Sequence, residues 1–137
     1  MDDADRLAAL TTQRHISLTT FRRDGTTAST PVWVVSDDGR RLLVWTGAET
    51  WKVKRIRRDP RVRVAASDAR GNVRGEAVEG TARLLGPEAG ELVQRLLRAK
   101  YGLLKRGLDA LNTLTRVLAR RPKAAAEYVE IVPSRDR

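Results

Sequence analysis

Two tight turns constrain the fold of this chain more than any other feature of its sequence. Asp24-Gly25 supplies the positive φ that a short hairpin turn requires, and a second turn of similar chemistry follows at residues 37–39. The runs on either side of these turns are rich in β-forming residues, and the first of them alternates apolar with hydroxyl side chains. Consecutive strands are therefore expected to pair antiparallel. The strands predicted on this basis are residues 15–21, 27–36 and 41–46.

The remaining elements predict a small barrel with helical additions. Two amphipathic helical segments occupy residues 87–121, with Gly102 separating them and Pro122 beyond the second. Helices do not alternate with strands, which argues against a doubly wound parallel sheet. The predicted fold class is mostly β (α+β), a six-stranded antiparallel β-barrel forming a single domain over residues 1–137. The other predicted elements are a helix at 3–10 and strands at 61–67, 74–85 and 124–132.

Composition excludes several kinds of site. The chain has no cysteine, so disulfides, thiolate metal sites and a cysteine nucleophile are excluded. His15 is the single histidine, and with no second ligand or triad partner near it a structural or solvent-facing role is predicted and a metal site is not. The acidic N-terminus lacks the long apolar run of a secretory signal, and no window approaches the roughly 18 apolar residues of a membrane span. We therefore expect a cytoplasmic protein with no membrane partner.

Positive charge is concentrated at residues 51–63, which carry seven basic side chains and one acidic one. A short helix is predicted here, beginning after Glu49 or Thr50 as N-cap and ending at Asp59, because the residue before a proline is pushed out of helical geometry. Val53 and Ile56 form the buried side of this helix, and Lys52 lies at its border. The seven cations are Lys52, Lys54, Arg55, Arg57, Arg58, Arg61 and Arg63.

The start of this helix has the composition of a phosphate-binding site. Free backbone N–H groups and the positive end of the helix dipole favour an anion. Thr46, Gly47 and Thr50 in the preceding loop and Lys52 in the first turn add hydroxyl groups and a cation. A solvated basic helix is the alternative, and these residues alone do not decide between the two.

Pro31 and the tryptophans mark the neighbouring strands. Because proline cannot donate to a strand ladder, Pro31 indicates an edge, a bulge or an interruption of pairing. Trp33, Trp45 and Trp51 all lie in the same region of the sequence. They either fill the core or line a groove for a ring-shaped ligand, and both alternatives remain open at this point.

Three blocks of this sequence resemble the pyridoxamine-phosphate-oxidase-like proteins, which have the FMN-binding type of split β-barrel. Within that family the resemblance is to the branch that uses the deazaflavin cofactor F-420. The most specific part is Trp-Lys-Val-Lys-Arg followed by Arg-Asp-Pro-Arg. The matching blocks are LTTFRRDGTTASTPVWVV (18–35), LLVWTGAETWKVKRIRRDPRVRV (42–64) and VRGEAVEGTARLL (73–85).

The resemblance implies a cofactor held in a groove between the two subunits of a homodimer. It places Lys52 on the phosphate, with Lys54 and Arg55 as helpers, and Trp45-Thr46 near the cofactor at the end of the third strand. It places the backbone of the second strand against the ring and brings Arg74 across from the partner subunit. The second-strand residues are Thr30, Pro31, Val32 and Trp33, and Pro31 is expected to interrupt the ladder there.

One departure from the family pattern bears on the cofactor. Members that use FMN commonly have an arginine immediately before the phosphate lysine, and this chain has Trp51. A ligand with a phosphate and a carboxylate-rich tail also suits the surplus of lysine and arginine better, because exposed cations favour extended polyanions. F-420 is therefore the preferred cofactor, with FMN as the alternative.

Three functions follow as hypotheses. The first is a homodimeric oxidoreductase that transfers a hydride from reduced F-420 to an unsaturated small molecule, with the cofactor supplying the chemistry. The second is the same barrel binding FMN, F-420 or a similar anion without turnover. The third is a nucleic-acid-binding module, although no nucleic-acid motif supports it. The basic helices at 87–121 are expected to pack on their own barrel or on a dimer partner rather than on a membrane surface or nucleic acid.

Overall fold

A computed structural model describes residues 2–119 and 125–134 of the chain. The strands are β1 (His15–Phe21), β2 (Thr27–Trp33), β3 (Leu42–Gly47), β4 (Arg61–Ser67), β5 (Val78–Leu84) and β6 (Ala126–Pro133). The α-helices are α1 (Asp3–Ala9), α2 (Trp51–Arg58), α3 (Gly90–Tyr101) and α4 (Leu103–Ala119). Short 3-10 turns follow α1 and precede α3. None of the described helices is both long and apolar enough to span a bilayer.

The six strands form one antiparallel sheet that curls into a nearly closed barrel. Their order is β2-β1-β4-β5-β6-β3, so β2 and β3 are the two edges of the sheet. An isolated bridge between Val35 and Leu43 joins these edges at one point. Within the described residues no ladder extends from this bridge, so the barrel remains open between β2 and β3. This confirms the predicted six-stranded split barrel with a basic helix between the third and fourth strands and two helices before the last.

The interior is filled by the inward-facing side chains of every strand. In β5 the alternation is regular: Val78, Gly80 and Ala82 are buried while Glu79 and Thr81 are exposed. Val53 and Ile56 of α2 are buried as predicted, and Ile56 joins the barrel core. The central members of the core are Ile16, Leu18, Val34, Leu42, Val44, Val62, Val64, Val129 and Ile131.

A second apolar cluster lies on the outside of the barrel, where α3 packs. Val93, Leu97 and Tyr101 of α3 meet Leu43 of β3 and Tyr128 of β6. Trp33 and Trp45 pack against this cluster as partly buried members. The long segment between β5 and β6 is thereby attached to the outer face of the β3 and β6 strands.

The structure shortens two of the predicted strands. The second ends at Trp33 instead of residue 36, and the fifth begins at Val78 instead of residue 74. Val73 makes only an isolated bridge to Ser67. Residue 124, the predicted start of the last strand, lies outside the described residues, and the strand begins at Ala126 within them. Gly102 does separate the two helices, with a φ of 54° that favours glycine.

The expectation that Pro31 interrupts the ladder is wrong. Pro31 pairs with Ser17 in an unbroken register from Thr27 to Trp33. Because β2 is an edge strand, the missing N–H can face away from β1 without breaking the pairing. Of the three alternatives for Pro31, the edge is the one the structure shows.

The hydroxyl of Tyr101 explains why β2 ends at Trp33. Continuing the register would pair Val34 with Arg14, but the Tyr101 hydroxyl lies between them. It accepts a hydrogen bond from the Val34 N–H at 3.0 Å and can donate one to the Arg14 carbonyl at 2.7 Å. The Tyr101 hydroxyl thus takes the place of one residue pair between β1 and β2. It does so where the chain that follows β2 turns away from β1 towards β3.

Replacing Tyr101 by phenylalanine should destabilise the protein by about 1–3 kcal/mol, because it leaves a buried N–H and a carbonyl without partners. The ring, and with it the stacking on Trp33, is retained. Urea unfolding followed by circular dichroism measures the difference. Tyr128→Phe is the matched control, since the Tyr128 hydroxyl accepts only a 3.3 Å hydrogen bond from Gln94. Equal losses for the two variants would show that the bridging hydroxyl has no special role.

Candidate functional site

The opening between β2 and β3 brings together the two strand segments predicted from the sequence. In an antiparallel arrangement, counting back from the Val35–Leu43 bridge places Trp33 level with Trp45. Val32 is then level with Thr46 across the gap. Unpaired backbone groups of both edge strands therefore border this opening, as groups that a ligand could bind.

Trp33 and Trp45 each have one ring face occupied by a helix residue. Trp33 stacks on Tyr101 with ring centroids 4.3 Å apart and an angle of 11° between the planes. The Lys105 ammonium lies 4.6 Å from the centre of the Trp45 ring. Both indoles are therefore anchored in the outer cluster, and both are only partly buried.

His15 has the structural role that the sequence predicts. Its Nε2 accepts a hydrogen bond of 3.2 Å from the Trp33 indole N–H. Burial, together with the nearby Arg14 guanidinium, lowers the pKa of His15 below its ordinary value. Both effects favour the neutral ring, which can act as the acceptor. No group of three His, Cys, Asp or Glu side chains capable of holding a metal occurs among residues 2–119 and 125–134.

The loop after β3 leaves the start of α2 without a side-chain cap. Thr50 occupies the N-cap position, as predicted, but its hydroxyl donates to the Gly47 carbonyl at 2.9 Å. No side chain of the described residues accepts a hydrogen bond from the first turn. Because the first N–H groups of a helix have no partner within it, they are free to bind an anion. Thr46 is buried at the end of β3.

Lys52 sits in this first turn as a half-buried cation. Within the part of the chain that the structure describes, its ammonium makes no ion pair and no hydrogen bond. Burial, and secondarily the charge of Arg55, lowers its pKa. A desolvated ammonium without a partner is the state in which an incoming anion is most favourable.

A second feature lies beside α2: a cationic groove of about 510 Å³ that has no acidic side chain in its lining. Arg55 and Arg58 are held at the end of β1, where Arg55 donates to the Thr20 hydroxyl and Arg58 to the Phe21 carbonyl. Lys54 lies 4.7 Å from the centre of the Trp51 ring, which is 68% exposed. The groove is lined by Arg22, Arg23, Trp51, Lys54, Arg55 and Arg58.

Two other cations of the basic stretch are already neutralised. Arg61 pairs with Asp59 at 2.9 Å, and Arg63 pairs with Glu79 at 2.6 Å. Arg57 is exposed and belongs to neither the groove nor an ion pair among the described residues. The basic stretch therefore divides into cations available to a ligand and cations that are not.

Some groove residues were not among the predicted site residues, and most of the predicted site residues do not line the groove. Lys54 and Arg55 are the predicted residues that do, and Arg22, Arg23, Trp51 and Arg58 join them there. The sequence feature that could have identified Arg22 and Arg23 as groove residues is their position at the tip of the first hairpin, which lies beside α2. Arg74 is exposed near Asp68, 3.7 Å away, and does not line the groove within one subunit.

A larger hollow of about 750 Å³ lies near α1 and the turn before β3. Acidic side chains outnumber basic ones in its lining, and Arg41 contacts Asp37 at 2.8 Å and Glu130 at 2.7 Å. These contacts raise the pKa of Arg41 and lower that of Asp37. This hollow is therefore a poor candidate for binding an anionic ligand.

Comparison with known proteins gives a consistent family and fold. The family described as pyridoxamine 5'-phosphate oxidase matches residues 3–128. No curated protein gives a significant match. A conserved hypothetical protein of Mycobacterium tuberculosis is 26% identical, with 98% of this chain and 82% of that chain covered and a TM-score of 0.65.

Two further solved structures share the fold at lower identity. One is described as an F-420 reductase and is 18% identical, with 93% of this chain and 92% of that chain covered and a TM-score of 0.60. The other is an FMN-binding protein of Nostoc punctiforme related to pyridoxamine 5'-phosphate oxidase. It is 15% identical, with 96% of this chain and 76% of that chain covered and a TM-score of 0.56.

Replacing Lys52 by methionine should leave the free energy of unfolding unchanged or raise it by up to about 1 kcal/mol. Burial lowers the pKa of Lys52, so charging this lysine costs more free energy in the folded state than in the unfolded one. That cost disappears as the pH rises through the folded and then the unfolded pKa, so the difference between wild type and variant should shrink at alkaline pH. Denaturant unfolding at neutral and alkaline pH measures it. A clear loss of stability would mean that Lys52 has a structural partner.

Proposed function

The chain belongs to the pyridoxamine 5'-phosphate oxidase family, and from this premise we propose that it is an F-420-dependent oxidoreductase that reduces an unsaturated small molecule. The choice of F-420 as the cofactor rests on the cationic groove next to the first turn of α2, which has no acidic side chain in its lining. FMN, as the alternative, has a phosphate but no carboxylate-rich tail to use that groove. The protein-bound deazaflavin would supply the hydride.

In this proposal the residues of α2 and its preceding loop bind the phosphate. The uncapped N–H groups of the first turn and the Lys52 ammonium are the donors, with Thr46 at the end of β3 and Thr50 at the N-cap of α2 beside them. The carboxylate-rich tail of F-420 lies along the groove and contacts Lys54 and Arg55 of α2 and Arg22 and Arg23 of the first hairpin. Because exposed cations interact with an extended polyanion at several points, the groove raises affinity and the rate of association.

The ring occupies the opening between β2 and β3. The backbone of Thr30, Pro31, Val32 and Trp33 borders one side, and Trp45 and Thr46 border the other. The edge strands orient the ring through their unpaired backbone groups, while the anchored indoles limit its position. A homodimer completes the groove, and Arg74 reaches the cofactor of the partner subunit. In the non-catalytic variant of this proposal, the same barrel binds its cofactor but does not turn over a substrate, because no substrate site is completed.

A nucleic-acid-binding role is the second candidate, and one observation favours it. Trp51 exposes its ring within a groove of five cations, which is the combination of a stacking surface and phosphate-binding charges found in single-strand binders. It predicts a steep fall in oligonucleotide affinity with salt and no affinity for FMN or F-420.

Replacing Lys52 by glutamate should weaken F-420 binding at least about tenfold, because it removes a charge-assisted contact to the phosphate and adds a repulsive charge. Fluorescence titration with F-420 and with FMN, each at two salt concentrations, measures the effect. The matched control is Arg57→Glu, which makes the same change of charge on the same helix outside the groove.

Similar losses of F-420 affinity in the two variants would mean that Lys52 contributes only through the overall positive charge of the helix. If wild type binds neither cofactor but binds a single-stranded oligonucleotide with a steep salt dependence, the nucleic-acid function replaces the proposal.

Replacing Arg23 by alanine should weaken binding of intact F-420 several-fold and leave binding of F-420 without its glutamate tail unchanged. The reason is that Arg23 lines the groove from the first hairpin, whereas Lys52, the proposed phosphate ligand, is not part of the lining. Comparing the affinities of the two cofactor forms for wild type and variant isolates the tail contact. Arg70→Ala, an exposed arginine outside the groove, is the control. An equal loss for both cofactor forms would place Arg23 near the phosphate instead of the tail.

A further inference from the structure

Helix α4 buries one charged side chain against the barrel and leaves its apolar side in solvent. Lys105 is the most buried residue of the helix, at 1% exposure, and it contacts Asp109 at 2.5 Å and the ring of Trp45. The large apolar side chains on the other side are 53–79% exposed. They are Leu103, Leu104, Leu111, Leu114, Val117 and Leu118.

This arrangement is the reverse of the usual one, in which the apolar stripe of a surface helix faces the core of its own protein. On a helical wheel the exposed apolar residues, together with Gly107 and Ala110, cover about half of the circumference. The helix has 17 residues and is therefore about 25 Å long. An apolar surface of this extent on one helix marks a site of interaction. Within the described residues α4 does not pack its apolar side on its own barrel, whereas packing on a dimer partner, the other half of the expectation, stays a prediction.

The charges around α4 identify the kind of surface that can cover it. Residues 95–119 contain six basic side chains and a single acidic one. That acid is Asp109, which is paired with Lys105 on the barrel side. Three more cations follow α4 in the sequence, at Arg120, Arg121 and Lys123. The apolar side itself carries no charge.

We propose that α4 is a peripheral membrane-binding helix that inserts its apolar side into the surface of an anionic lipid bilayer. An amphipathic helix with a wide apolar side and an excess of cations binds such a surface through apolar burial and attraction to acidic headgroups. A second copy of the chain would instead place two strongly basic segments side by side. Anionic lipid offers complementary charge, and the helix lies in the plane of the surface without crossing it.

Co-sedimentation of the full chain with lipid vesicles tests this proposal. The chain should bind vesicles of phosphatidylglycerol mixed with phosphatidylcholine, bind pure phosphatidylcholine vesicles much more weakly, and lose affinity as salt is raised. The double variant Leu111→Asn with Leu118→Asn should bind the anionic vesicles at least about tenfold more weakly, since two exposed leucines no longer enter the bilayer. Both positions are exposed, so circular dichroism and the unfolding midpoint should be unchanged.

Val73→Asn is the matched control, because Val73 is 57% exposed but lies on the loop before β5. This variant should bind the vesicles as wild type does. Failure of wild type to bind anionic vesicles, or equal binding by the double variant, would overturn the proposal. Light scattering on the same samples gives the other outcome: a dimer that only the double variant dissociates, with no vesicle binding, would assign the apolar side of α4 to a second copy.

Discussion

The bridge that Tyr101 makes between Arg14 and Val34 is the contact on which the open barrel depends. A continuous ladder would keep β2 on β1 and away from β3, but the hydroxyl satisfies the backbone groups that are released when the chain turns away. Lys100 assists from the preceding position, where its ammonium donates to the carbonyls of Thr11 at 3.0 Å and Val34 at 2.6 Å. The end of α3 therefore fixes both the closure of the barrel and the position of the opening beside it. The candidate site depends on α3 even though α3 contributes no predicted ligand contact.

The contacts that each cation of the basic stretch makes decide whether it is neutralised or available for binding a ligand. Exposed ion pairs such as Arg63 with Glu79 contribute little to stability, yet they lower the charge that a ligand encounters. Arg55 and Arg58 are different, because they contact neutral groups of β1 and keep their full charge. Orientation by a hydroxyl and a carbonyl thus fixes these guanidinium groups in place without neutralising them. The result is a groove with net positive charge, two of whose guanidinium groups are oriented by contacts with β1.

The elements that the sequence predicted correctly are those whose signals are local. The hairpin turns, the helix ending at Asp59 and the break at Gly102 each depend on the backbone preferences of one or two residues, so they could be read without tertiary information. The early end of β2 could not, because it is caused by Tyr101, 67 residues away from Val34. The direction of the apolar side of α4 was also beyond the sequence: a period of 3.6 residues shows that one side is apolar but not which way that side faces. The sequence of residues 51–63 indicated that a positively charged surface lies at α2. Which of the cations line the groove became clear only from the packing of α2 on β1.

The three tryptophans, which the sequence left undecided, differ in what they can offer a ring-shaped ligand. Trp33 already stacks on Tyr101, and Trp45 has the Lys105 ammonium over its ring. An aromatic ligand in the opening between β2 and β3 therefore meets mainly strand backbone there, since one face of each indole is occupied. Trp51 is exposed, and its indole carries no charge. In the proposed function the phosphate is therefore bound by Lys52 and the uncapped N–H groups of α2 without help from the side chain of Trp51.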